Sequence, residues 1–189
     1  YVSHERALFT VNSVNKFYAV QYSSERRVTA ATAASQFPIS AVQYQPRDHT
    51  IFSAAGRELS IWELKHGTVE YCVPRLTDQD ITSMCVDDTG HYLFVASVGG
   101  ALGVYDTDSM EVKKQFVFVQ QVVAMQWCVG NINVKPYRGF LMIVLQDGHV
   151  YVADMYAATN LMRFTHSKYH IDAKTLAYSP VHGNCIMGQ

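Results

Sequence analysis

The sequence predicts an all-β chain assembled from repeated four-stranded antiparallel sheets. Two landmarks that recur in phase, and no competing period of 3.6, carry that expectation. Four segments share one pattern: residues 39–44 (ISAVQY), 81–86 (ITSMCV), 122–127 (VVAMQW) and 173–178 (AKTLAY). Each places a small residue third, a bulky aliphatic residue or Met fourth, and an aromatic residue or Val sixth. Their starts lie 42, 41 and 51 residues apart. The second landmark is Ile61-Trp62-Glu63, Val104-Tyr105-Asp106 and Val152-Ala153-Asp154, each closing a short alternating run with an acidic residue. Trp62, Tyr105 and Ala153 precede the next first-type segment by 19, 17 and 20 residues, and Val20 stands 19 residues before Ile39.

Residues 39–73 read as one unit. Residues 39–44 form a strand that Gln45-Pro46-Arg47-Asp48 ends with turn chemistry. Residues 50–55 are apolar and small, as in a strand buried on both faces. Gly56-Arg57-Glu58 turns the chain into residues 59–63, which alternate at period two. Lys65-His66-Gly67 is the next turn, and residues 68–73 supply a fourth strand rich in β-branched and aromatic types. The second unit repeats this plan over residues 81–118, with turns at 87–90, at Gly99-Gly100 and at 107–109. The third, residues 122–166, has Asp147-Gly148 at its central hairpin, a dipeptide suited to positive φ. It also carries an insertion, residues 129–138, between its first two strands.

A sheet of this kind has two apolar faces, and stacking successive sheets around an axis buries both; that architecture is a β-propeller. The first strand would line the channel and the more charged fourth strand would lie outermost. Residues 7–12, 16–22 and 26–33 read as the second to fourth strands of a partial blade within residues 1–33. Residues 172–189 supply the first two strands of another. About seventeen strands result: three whole blades and two partial ones. The expectation is a stretch of a longer propeller over residues 1–189, completed by the rest of the polypeptide or by a partner chain. A closed four-bladed ring is the alternative.

Composition sets the outer limits. At 189 residues, 49% hydrophobic and 16% charged, the chain suits one globular domain and lies far from the disordered regime. A net charge of −1 supplies no electrostatic case for nucleic acid or an acidic membrane. Cys72, Cys85, Cys128 and Cys185 include no Cys-x-x-Cys pair, and three of them sit in apolar strand patterns. That usage suits a reducing compartment, cytoplasm or nucleus. The N-terminus has neither an apolar signal core nor an initiator Met. Glutamines interrupt the longest apolar stretch, residues 116–129, so no membrane span is expected.

At Trp62-Glu63, Tyr105-Asp106 and Ala153-Asp154 the chain resembles the WD-repeat (WD40) family of β-propellers, whose naming dipeptide falls there. Asp147-Gly148 matches the family's hairpin aspartate. The resemblance spans nearly all of the chain with divergent copies. No copy has the Gly-His pair before its first strand, and Gly90-His91 lies in a different loop, so the family's Asp–His–Ser/Thr–Trp network is incomplete. Kelch propellers are the nearest rival, through the single Gly99-Gly100, and other propellers share the geometry.

No catalytic constellation emerges. His166 and His170 share an i, i+4 spacing but flank loop and strand sequence, without companions at zinc-site spacing. There is no Gly-x-Ser-x-Gly elbow, phosphate loop or Rossmann fingerprint. Ser53, Ser83 and Ser97 read as small core residues, and Asp87-Asp88 and Asp78/Asp80 as solvated turns. Tyr44, Trp127 and Tyr178 read as core aromatics. No catalytic, cofactor or metal residue is therefore assigned.

The resemblance implies a non-enzymatic interaction scaffold that binds proteins or peptides through rigid loop-lined faces. One face would gather Gly56-Arg57, residues 74–80, Gly99-Gly100, Asp147-Gly148 and residues 167–170. Arg57, Arg75, Asp78, Asp80, Tyr169 and His170 are its contact candidates. The insertion would place Tyr137 and Arg138 on the opposite face. Two alternatives stand beside this reading. One is a propeller hydrolase or oxidoreductase with a site at the channel mouth. The other is a building block of a ciliary, nuclear-pore, ribosome-biogenesis or splicing assembly.

Overall fold

The computed structural model describes residues 7–11, 16–21, 28–32, 37–63, 68–129, 139–153, 161–165, 175–179 and 184–188. Among them the chain forms seventeen β-strands and no helix. The first sheet holds β1 (Ala7–Val11), β2 (Lys16–Gln21) and β3 (Val28–Thr32). The second holds β4 (Ile39–Gln45), β5 (Thr50–Ala55), β6 (Glu58–Glu63) and β7 (Thr68–Val73). The third holds β8 (Ile81–Val86), β9 (Tyr92–Ser97), β10 (Ala101–Asp106) and β11 (Val112–Val117). The fourth holds β12 (Val122–Cys128), β13 (Phe140–Leu145), β14 (His149–Ala153) and β15 (Leu161–Thr165). β16 (Thr175–Ser179) pairs with β17 (Asn184–Gly188) in a two-stranded fifth sheet.

Every sheet is a meander with its strands in chain order. The chain divides into two compact units, residues 1–81 and 82–189. Ile39, Ile81 and Val122 each open the first strand of a four-stranded sheet, as their shared phase predicts. The fourth copy keeps the phase where it is described: Tyr178 of β16 pairs with Cys185, the second residue of β17, as Tyr44 pairs with Ile51 and Trp127 with Leu141, while Ala173 lies outside the described residues.

The repeat extends to its irregularities. The register slips between Ile39 and Ala41 in β4 and between Val122 and Ala124 in β12, leaving Ser40 and Val123 as extra residues at equivalent places. A second slip leaves Glu70 extra in β7 and Lys113 extra in β11, again equivalent. Such bulges bend and twist a strand at a fixed point. The Ser40 hydroxyl donates to Ala54 O at 3.3 Å, and Thr82 makes the equivalent bond to Ala96 O at 3.4 Å.

Burial follows strand position. Second strands are core: every residue of β13 is buried, as is every residue of β5 and β9 after the first. Of the fourth strands whose burial is described, residues 69–72 of β7 and residues 112–115 of β11 are all exposed. Tight turns link first to second strands where the last residue of the turn's entry can cap it. Gln45 accepts the Asp48 N–H at 2.6 Å and donates from Nε2 to Asp48 Oδ2 at 2.8 Å. Asp87 fills the same place in the next repeat, accepting from Tyr92 N–H at 2.8 Å and from the Thr89 hydroxyl. Asp87 is 1% exposed, which corrects its expected solvation: its carboxylate is an internal strut of the turn. Cys128 occupies that place in the third repeat and cannot cap this way; there the chain continues through residues 129–139 before β13.

Within the second unit, the third and fourth sheets pack face to face. Phe94, Ala96, Leu102 and Val104 of the third sheet meet Met125, Leu141, Ile143 and Ala153 of the fourth. These faces are not equivalent. Val104 pairs with Phe94 on one face of the third sheet, whereas the repeat counterparts of Leu141 and Ala153 are Leu93 and Tyr105 on its other face. The packing is thus head-to-tail, each sheet offering its neighbour a different side. First strands stand close together: Thr82 Oγ1 donates to Val122 O at 3.1 Å, Trp127 N–H donates to Cys85 Sγ at 2.9 Å, and β16 runs near β12.

Trp62 is the chief anchor of the second sheet. It is buried, and its indole N–H donates to the Ser53 hydroxyl at 2.7 Å across β5 and β6. Trp62→Ala should cost about 3–5 kcal/mol in urea unfolding, and Trp62→Phe about 1 kcal/mol for the lost hydrogen bond plus the smaller ring. A loss under about 1 kcal/mol for the alanine variant would contradict the burial.

Neighbouring glycines offer a second test. Gly99 and Gly100 both have positive φ, +86° and +84°, but a Cβ at Gly99 meets open space whereas one at Gly100 would lie 2.4 Å from Phe118 O. Gly99→Ala should therefore cost about 1–2 kcal/mol for the left-handed backbone. Gly100→Ala should cost clearly more, measured by the same unfolding titration.

Candidate functional site

One end of the second sheet brings together the two sequence segments singled out for it. Gly56 and Arg57 form the β5–β6 turn, Gly56 with φ +59°. The connection from β7 to β8 is pinned onto that turn: Leu76 N–H donates to Arg57 O at 2.9 Å, and Ile81 N–H to Gly56 O at 2.7 Å. Backbone bonds at both ends of residues 76–81 hold the loop as a rigid ledge rather than a free arc.

The four charged candidates described there pair with one another. Arg57 Nε lies 3.5 Å from Asp80 Oδ1, and one Arg75 terminal nitrogen lies 3.0 Å from Asp78 Oδ1. All four are exposed. Exposed pairs of this kind stabilise by about 0–1 kcal/mol, so their contribution to folding is small. Thr77 Oγ1 donates to Gln79 O at 2.6 Å and tightens the loop between them.

Phe37 is a member of this surface that the sequence analysis missed. Its ring lies over Gly56, where a Cβ would come within 3.1 Å of it, and the residue is 57% exposed. Its position before Pro38, outside any strand pattern, gave no periodic signal. Phe37, Arg57, Arg75 and Leu76 thus combine aromatic, cationic and aliphatic surface on one ledge. Tyr137, Arg138, Tyr169 and His170 lie outside the described residues.

The second unit builds a comparable end from the other two hairpins. Phe118 N–H donates to Gly100 O at 2.9 Å and Gln146 N–H to Gln121 O at 2.8 Å. These bonds tie the turn at 98–100, the loop at 118–121 and the turn at 146–148 into a row. Asp147 is spent locally: it accepts the His149 N–H at 3.1 Å, and its other oxygen lies 2.8 Å from His149 Nδ1. Exposed apolar surface appears here instead, at Val98, Val117 and Val119, the last 97% exposed.

Two aromatics expected in the core are only half-buried. Tyr44 reaches His49 Nδ1 with its hydroxyl at 2.6 Å, and Trp127 donates from its indole nitrogen to Asp88 Oδ1 at 2.9 Å while stacking on Phe94. Each stands next to a turn, so the polar edge of its ring finds a surface partner. The carboxylate of Asp106 accepts the N–H of Ser109, the Ser109 hydroxyl and the N–H of Asp108, which hold its pKa below the usual value. Among the described residues no three His, Cys, Asp or Glu side chains cluster in a metal-binding arrangement. No helix there is long and apolar enough to cross a membrane.

No protein-family model matches the chain, and a search of curated proteins finds no match.

The cysteines divide by position. Cys85 and Cys128 are buried, whereas Cys72 on the fourth strand β7 is exposed. Burial pushes the Cys85 thiol up to about 12, and desolvation with the nearby Glu58 carboxylate also raises Cys72. Alkylation of the native chain at pH 8, mapped by peptide mass spectrometry, should modify Cys72 slowly and leave Cys85 and Cys128 untouched. Both buried thiols should react once the chain is unfolded in urea. Labelling of Cys85 in the native chain would show that the β8–β12 contact opens.

Proposed function

We propose that the chain is a stretch of a WD-repeat β-propeller that serves as a protein–protein interaction scaffold in a multiprotein complex. The head-to-tail packing of the third and fourth sheets is the observation that carries this reading. Two sheets that shielded one another with equivalent faces would form a closed sandwich. Sheets that offer different faces leave a further face to be covered, so the series propagates. In the fourth sheet that further face holds a second buried group, Cys128, Phe140, Met142 and Val152. Close first strands and exposed fourth strands suit blades arranged about an axis. The Trp62–Ser53 hydrogen bond supplies one leg of the family's side-chain network in the second sheet.

The scaffold role rests on the ledge of the second sheet. The Gly56-Arg57 turn is held by backbone hydrogen bonds from Leu76 and Ile81, with Arg75 next to Leu76 and the Phe37 ring over Gly56, and aromatic and arginine side chains are the types that anchor protein interfaces. Their ion pairs contribute little to folding, so a partner's carboxylates can exchange for Asp78 and Asp80 at small cost.

Affinity purification with quantitative mass spectrometry, run on the native chain and on an Arg57→Glu/Arg75→Glu variant of matching thermal stability, tests the proposal. Stable partners should be recovered with the native chain and reduced roughly tenfold or more with the variant. An unchanged partner set would remove the ledge from the reading. Turnover of a small substrate without any stable partner would replace the scaffold by an enzyme.

A further inference from the structure

We propose that the outer edge of β7 takes up an extended, basic segment of a partner protein as a fifth strand of the second sheet. β7 ends the order β4-β5-β6-β7, so a row of its backbone N–H and C=O groups faces away from the sheet. An unpaired row of this kind is a template for an incoming strand.

Edges are ordinarily guarded by lysines, by proline or by a bulge. β11, at the same place in its own sheet, carries Lys113 and Lys114, both exposed. β7 has neither lysine nor proline; its sequence is TVEYCV, in which Thr68, Val69, Tyr71 and Val73 are types favoured in strands. Val69 and Tyr71 are 39% and 59% exposed, an aromatic and a β-branched side chain of the kind that pairs well across strands. Among the described residues of this strand the bulge at Glu70 is the one guard, and it leaves residues 71–73 in regular register with β6.

Charge selects the occupant. On β7 itself the one charged residue is Glu70. Glu70 is exposed on the edge strand itself. An incoming strand with Lys or Arg opposite Glu70 meets an opposite charge, whereas an acidic strand meets repulsion. The edge exists in the second sheet whether or not the ledge binds protein, so this inference stands apart from the reading above.

The test uses the full chain and a dye-labelled, end-blocked peptide of sequence Thr-Val-Lys-Val-Lys-Thr, followed by fluorescence anisotropy at low salt and by amide hydrogen exchange. Saturable binding and slowed exchange within residues 68–73 are expected. The same peptide with alternate amides N-methylated keeps its side chains but cannot pair with a strand edge, and it should not bind. Glu70→Gln should weaken binding by up to about fivefold, the range of one exposed charge pair. Equal binding of the N-methylated peptide, or of a glutamate-for-lysine peptide, would overturn the proposal, as would protection elsewhere or no binding at millimolar concentration. Self-association that protects residues 68–73 and excludes the peptide would assign the edge to a second copy of this chain instead.

Discussion

Burial of a sheet on both faces, as in the fourth sheet, is the constraint on which the rest of this structure depends. A strand such as β13, buried at all six residues, needs neighbours above and below it. In the second unit one neighbour is identified: the fourth sheet lays Leu141, Ile143 and Ala153 against Phe94, Leu102 and Val104 of the third. Phe94 and Trp127 add a stacked ring pair at 5.5 Å, worth about 0.5–1.5 kcal/mol beyond the area they cover. The contact is made between non-equivalent faces, which is why one pairing does not end the stacking. A chain under this constraint must repeat its unit, and the sequence period is the record of that need.

The same constraint explains where the polar groups go. First strands are crowded by their neighbours, so hydroxyls there bond backbone: Thr82 contacts carbonyls of both its own sheet and the next. Turns between first and second strands are short only where a residue can cap them from inside, as Gln45 and Asp87 do. Buried polar groups of this sort cost stability when left unpaired. With Cys128 at the equivalent position, the chain loses that cap and the connection lengthens.

Element type, strand order and most strand limits were legible in the sequence because two periods, 2 and roughly 41, act on the same residues. Positions that depart from the pattern do so where tertiary setting outweighs residue type. Tyr44 and Trp127 look like core residues by phase, yet each closes a strand beside a turn and keeps its polar ring edge at the surface. Cys72 stands on a strand that ends its sheet, and there it is exposed. Asp87 shares its neighbour's turn chemistry while pointing inward; nothing in the adjacent pair Asp87-Asp88 distinguishes the strut from the solvated residue. The ledge was legible in part: loop position marked Arg57, Arg75, Asp78 and Asp80, but the Arg57–Asp80 pair depends on backbone bonds between distant segments, and Phe37 joins through its contact with Gly56.

The two surfaces of the second sheet differ in the kind of recognition they can support. On the ledge, cations and carboxylates stand in equal number and are already paired, so the partner proposed for it would gain specificity by matching positions rather than by net attraction. Along β7 the one charged residue is Glu70 and the backbone supplies direction, so for the strand proposed there attraction and register would come from different groups. Neither surface carries much of the folding free energy: exposed pairs contribute little, and an edge strand covers only one side. Residues freed from packing are the ones on which binding can act without cost to the core. In this chain they lie where the repeat stops protecting itself, at the end of a hairpin and along the last strand of a sheet.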